Sequence, residues 1–136
     1  MTVESEYLLG LFILEQQSNS PISSGQLALS LGRSPAATTE MIQRLETEGL
    51  VEYEPYEGAN LTASGRERAE ALHETYVTLS WFFRSVLDLD THEREAMQMA
   101  GLVSPAVAER LMETLVPANE DRNEVTTLSD NETSEP

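Results

Sequence analysis

Apolar side chains recur at helical spacing near the start of the chain, at Tyr7, Leu8, Leu11, Phe12 and Leu14. Ser18-Asn19-Ser20-Pro21 then breaks the rhythm, which predicts a supporting helix over Glu4–Gln17. Ser23 with Gln26 three positions on has capping-box spacing and starts a short helix, Gly25–Leu31, with Leu27, Ala28 and Leu31 facing inward. Gly32 ends it and makes the turn. Ser34 and Pro35 supply an N-cap and a first-turn proline for a third helix, Pro35 to about Glu48, stopped by Gly49. Met41, Ile42 and Leu45 give that helix a buried face, and Ala36, Ala37, Thr39, Glu40, Gln43 and Arg44 make up the other.

The rhythm then changes from helical to alternating. Leu50-Val51-Glu52-Tyr53-Glu54 reads as a strand, Tyr56-Glu57-Gly58 as a turn, and Asn60-Leu61-Thr62 as the returning strand of a hairpin. Thr62 is expected to cap a long helix, Ala63 to about Leu87, charged in its first half and apolar in its second. Asp90 with Glu93 predicts another capping box and a helix to about Leu102. Ser104-Pro105 opens a last helix, Ala106–Leu115, with Val107, Leu111 and Leu115 on one face. Beyond Pro117 six acids stand against Arg122 among Asn, Thr and Ser, the composition of a disordered acidic tail. The fold class is mostly α: a winged helix-turn-helix followed by an all-helical lobe.

That order of elements makes DNA the expected partner. A recognition helix enters the major groove with its N-terminal residues against base edges, where bulky side chains would hold the backbone away. Ala36 and Ala37 suit thymine methyls, Gln43 suits adenine, and Glu40 can accept from cytosine N4. Arg33, Arg44 and the Ser34 hydroxyl reach phosphate or guanine, and Thr39 completes the exposed set. Each of these residues would also be at home on an ordinary solvated helix.

Charge changes the picture. The formal net charge is −16 in 136 residues, and all eight basic residues are arginine. DNA-binding domains are usually basic. So large a carboxylate excess keeps a protein soluble where salt screens its self-repulsion, which points to the interior of a halophile. Between Ser18 and Leu45, however, only Glu40 opposes Arg33 and Arg44, leaving that stretch at +1. An acidic chain that thins its carboxylates over one helix-turn-helix spares the surface that meets phosphates. The hairpin is not spared, so its glutamates either sit off the DNA or are neutralised by bound cations.

Cysteine is absent, which excludes disulfides and thiolate metal sites and favours the cytoplasm. No apolar run approaches the roughly 20 residues of a membrane span, and no signal segment opens the chain. A phosphate-binding glycine loop and a His-Glu-x-x-His zinc pattern are both missing, so catalysis is not expected. The winged lobe already has a core of its own, so Trp81, Phe82, Phe83 and Val86 are expected at a subunit interface rather than in a purely intramolecular role.

With these elements placed, the chain resembles the diphtheria toxin repressor (DtxR) family, including its short manganese-responsive branch. The likeness runs from Glu4 to Leu115. It rests on Glu6-Tyr7-Leu8, Arg44-Leu45-Glu46-x-x-Gly49-Leu50-Val51, Leu61-Thr62-x-x-Gly65, Leu87-Asp88-Leu89-Asp90, and Glu95-Ala96 ahead of Ser104. The resemblance implies a homodimer on a palindromic operator, with a DNA-binding domain over residues 1–66 and a helical dimerisation and former metal-sensing domain over 67–116. The tail occupies 117–136. It also implies a divalent transition metal, manganese or iron, whose ligands carry over poorly. Glu6 matches the ligand position before the helix-one tyrosine. The family's histidine falls on Tyr76, its next carboxylate on Ser80, and its remaining ligands on Met97, Ala100 and Gly101. A relocated site would pair Glu6 with His73 or with the cluster of His92, Asp90, Glu93 and Glu95; with the carried-over position Met97, the metal candidates are Glu6, His73, Glu93 and Met97. The competing reading is a protein-interaction module, or a heterodimer partner of a metal-sensing regulator, with no operator of its own.

Overall fold

Hydroxyl side chains start the helices of the first half. The computed structural model describes residues 2–19 and 21–115. It contains α1 (Thr2–Gln17), α2 (Ser24–Leu31), α3 (Pro35–Thr47), β1 (Val51–Glu54), β2 (Gly58–Leu61), α4 (Ala63–Ser85), α5 (His92–Met99) and α6 (Pro105–Leu115). The Ser23 Oγ accepts from the Gln26 amide at 3.0 Å, and Ser34 Oγ accepts from the Ala37 amide at 3.1 Å. Each satisfies one of the orphan amides of a first helical turn. Gly32 closes α2 at φ +66, a left-handed conformation that a side chain would penalise, and this sharp stop sets the turn into α3.

Contacts divide the chain within α4 into two units, Val3–Glu70 and Ala71 onward. In the first, Tyr7, Leu8, Leu9 and Leu11 of α1 are almost fully buried with Ile22, Leu27, Ile42, Leu45 and Val51. Leu9 lies outside the stripe read from the sequence. α1 is enclosed on more than one face, so its burial exceeds a single amphipathic side. Two polar links tie α1 down. The Tyr7 hydroxyl meets Thr38 Oγ1 of α3 at 3.3 Å, with both residues buried. Glu15 accepts from the Leu61 amide at 3.0 Å and from Arg66 Nη2 at 2.8 Å, joining α1 to β2 and to α4.

The strands pair antiparallel, with Val51 opposite Leu61 and Glu54 opposite Gly58. Ile22 adds a bridge on the far side of β2, exchanging hydrogen bonds with Ala59 of 3.0 and 2.8 Å. This corrects the expected turn. Gly58 is a paired strand residue, and the tip is Pro55-Tyr56-Glu57. Gly58 is required there because a Cβ would collide with the Ile22 carbonyl.

In the second unit, α4 supplies two apolar clusters. Val77 and Trp81 pack with Tyr76, Phe82 and Met112, and Leu79 and Phe83 pack with Ala96, Val103 and Leu111. Trp81 and Phe83 are thus core residues of the single chain, 9 % and 8 % exposed. Two further expectations are corrected. α5 starts after Thr91, with no side-chain cap, rather than from an Asp90–Glu93 box, and it ends at Met99. Asp88 at φ +58 turns the chain before it, so Asp90 does not occupy the cap position. On α6 the buried positions are Ala108 and, in part, Leu111 and Met112, while Val107 is 52 % exposed. Packing against α4 rotates the expected face by one residue. The expected acidic tail lies outside the described residues.

Candidate nucleic-acid interface

α3 presents two chemically distinct faces because its apolar residues recur every three to four positions. Thr38, Met41, Ile42 and Leu45 point into the core. Ala36, Ala37, Glu40, Gln43 and Arg44 are exposed, as is the capping Ser34, and Thr39 is half-buried beside them. All eight residues expected to meet DNA therefore lie on α3 or the turn before it, seven of them exposed. The Tyr7–Thr38 hydrogen bond and the cap at Ser34 hold this helix from behind, so its outer face is available without any rearrangement.

Arg33 is the exception to a free face. Its Nη2 lies 2.5 Å from Glu6 Oε1, and that hydrogen bond, with the charge of Glu6, raises the guanidinium further above its ordinary value. The pairing joins two residues that the sequence assigns to separate tasks, a phosphate contact and a metal ligand. Nothing local announces it, since they stand 27 positions apart. Glu6 is only 12 % exposed in its side chain and Arg33 37 %, so the carboxylate is the sheltered partner and the arginine the accessible one.

At the other end of α3 the charge reverses. Glu4 of α1 stands beside Glu48, and carboxyl–carboxyl hydrogen bonding, burial and the charge of Glu48 push the Glu4 carboxyl above its ordinary value. Glu46 and Glu48 are exposed nearby, and the hairpin adds exposed Glu52, Glu54 and Glu57. The acid-poor region thus coincides with the N-terminal part of the exposed α3 face, where base contacts are made in helix-turn-helix docking.

The positions that the sequence resemblance assigns to the family's metal ligands hold residues with other partners. Tyr76 packs into both apolar clusters, and Ser80 is buried with its Oγ 2.9 Å from His92 Nδ1. Ala100 is buried hydrocarbon, and Gly101 offers no side-chain donor. Glu6 is engaged by Arg33. His73 lines a cleft of about 610 Å³ between α4 and α6 with Glu74, Thr78, Glu109 and Met112, where burial lowers its pKa. Among the described residues no three His, Asp or Glu side chains gather where one ion could be held. The residues at these positions do not fit the family's metal, and Glu6, His73, Glu93 and Met97 are not assembled into a replacement.

Of the expected interface residues, Phe82 is half-buried and Val86 is 50 % exposed, alongside Leu87 at 50 % and Leu89 at 37 %. No described helix is long and apolar enough to cross a membrane.

Comparison with known proteins agrees with this layout. Residues 1–59 match the family model described as iron dependent repressor, N-terminal DNA binding domain. An uncharacterised helix-turn-helix transcriptional regulator of Methanocaldococcus jannaschii is 34 % identical over 108 residues, 78 % of this chain and 86 % of that protein. The diphtheria toxin repressor of Corynebacterium glutamicum is 27 % identical over 111 residues, covering 80 % of this chain and 48 % of its own length. A solved structure of the manganese regulator SloR aligns with a TM-score of 0.70 at 26 % identity, over 82 % of this chain and 53 % of that one. A manganese-dependent transcriptional repressor in complex with manganese gives 0.70 at 27 %, over 82 % and 52 %. The chain spans about half the length of these last three. With the winged helix-turn-helix, the matched N-terminal domain and a relative aligned over most of both chains, the protein belongs to the DtxR family of transcriptional regulators, which are not enzymes.

Proposed function

We propose that this chain is a sequence-specific repressor that binds a palindromic operator as a homodimer through the outer face of α3, without metal at the family's ligand positions. The observation that carries this reading is the pairing of an exposed, acid-poor recognition face with a ligand set in which Tyr76, Ser80, Met97, Ala100 and Gly101 stand at every position but that of Glu6. The first half of that pairing supports DNA binding, because seven of the eight residues expected at a groove are exposed while their helix is fixed from behind. The second half supports control by another signal, because hydrocarbon, hydroxyl and thioether groups are poor ligands for manganese or iron. Exposed Val86, Leu87 and Leu89, together with Met99 and Leu102, give the second unit apolar surface for a twofold partner.

The acidic hairpin favours a second reading, in which the winged helix contacts another protein or a metal-sensing relative. Both readings meet the same test. Fluorescence anisotropy of a duplex from the gene's own upstream region is titrated with protein at molar KCl, in EDTA and then with Mn(II) or Fe(II). The expected result is tight binding that metal leaves unchanged. Metal-induced tightening overturns the metal-free reading, and no binding under either condition favours the protein-interaction module. Size-exclusion chromatography of the mixture then separates a dimer–duplex complex from free components.

A further inference from the structure

The tip of the hairpin holds a residue that its backbone disfavours. The Glu57 amide donates to the Glu54 carbonyl at 3.0 Å, closing a four-residue turn with Pro55 second and Tyr56 third. Tyr56 has φ +70. Proline followed by a positive φ is the signature of a type II turn, whose third position suits glycine or asparagine. A bulky side chain there crowds its own carbonyl oxygen. Among the described residues nothing offsets this strain, since Tyr56 is 104 % exposed and its ring packs on none of them. Uncompensated strain of this kind is found where a side chain is held for an external contact.

The chemistry of the hairpin narrows what that contact is. From Val51 to Leu61 the sequence has Glu52, Glu54 and Glu57 and no arginine or lysine. An arginine at the tip would pair with the flanking glutamates, whereas a phenol donates a hydrogen bond without carrying a charge for them to capture. We propose that Tyr56 is a DNA-backbone contact, its phenolic O–H donating to a phosphate oxygen flanking the site read by α3. This rests on the DNA-binding reading above and assigns the acidic wing a role in it. Tyrosine hydroxyls are among the ordinary donors to phosphate, and such contacts position a protein without reading sequence. A neutral donor displaces no counterion, so the contact contributes equally at all salt concentrations.

The test uses the full chain, the same upstream duplex, and Tyr56→Phe and Tyr56→Gly variants across a KCl series. Both variants are expected to bind about tenfold more weakly, the loss of one hydrogen bond to a charged group, with the wild-type salt slope retained. Tyr56→Gly should also raise the thermal midpoint, because glycine suits the positive φ of this turn position. A gain in folding stability with a loss of DNA affinity is what a merely structural tyrosine would not give. Wild-type affinity in Tyr56→Phe overturns the contact alone, and so does wild-type affinity in Tyr56→Gly, which would leave the ring to a protein partner. A wild-type chain that binds no duplex overturns the DNA-binding reading and the contact with it.

Discussion

The outer face of α3 lies within the stretch that matches the family's DNA-binding domain, while the positions in the second unit that the resemblance assigns to metal ligands hold other kinds of residue. The α3 face keeps polar and small residues in an exposed row backed by a buried one. At the positions that the resemblance assigns to ligands stand Tyr76, Ser80 and Ala100, which pack or hydrogen-bond within the chain. The difference reflects how exacting each chemistry is. Groove recognition is spread over several contacts of about 1–3 kcal/mol each and tolerates exchange at single positions. A metal site needs donors of the right type gathered at one point, so it tolerates exchange at single positions less.

The largest effect should come from the packed apolar clusters of the second unit. Trp81→Ala is expected to cost about 3–5 kcal/mol of stability in a denaturant titration, since the indole is buried against Val77 and Met112. Val86→Glu, at a half-exposed position, should leave each chain folded and produce monomers in light scattering. Trp81→Ala that instead yielded stable monomers would return the tryptophan to the subunit interface and break the comparison.

A smaller effect belongs to α3. Gln43→Ala is expected to weaken operator binding by about 1–3 kcal/mol and relax preference at one base pair. Arg33→Ala should weaken operator and random duplexes alike, measured by anisotropy on both. Equal losses on the two duplexes for Gln43→Ala would remove it from the base-reading set and leave α3 a positioning helix.

The smallest effect lies at the acidic end of α3. Glu4 has its pKa raised, first by carboxyl–carboxyl hydrogen bonding with Glu48, then by burial and the charge of Glu48. The folded state therefore holds this proton more tightly than the unfolded one, and stability falls as pH rises through the raised value. Glu4→Gln should increase the thermal midpoint at neutral pH, with the advantage vanishing below the ordinary glutamate value of 4.5. An advantage that persists at low pH would point to packing rather than charge as its source.

The order of elements could be read from the sequence because its signals are local. Ser23 and Ser34 reach amides three residues away, Gly32 stops a helix by its own backbone, and a 3.6-residue period marks the faces of α3. The exposed row from Ala36 to Arg44 followed from that period alone. Tertiary structure decided what depends on distant neighbours. Glu6 meets Arg33, Glu15 meets Arg66, and Ile22 crowds Gly58 into the strand, through contacts spanning 27 to 51 positions. It also decided that Trp81 and Phe83 are buried within one chain and that α6 turns Ala108 rather than Val107 inward. Hydrophobicity specifies that such residues will be covered. Only the packing of one helix against another specifies by what.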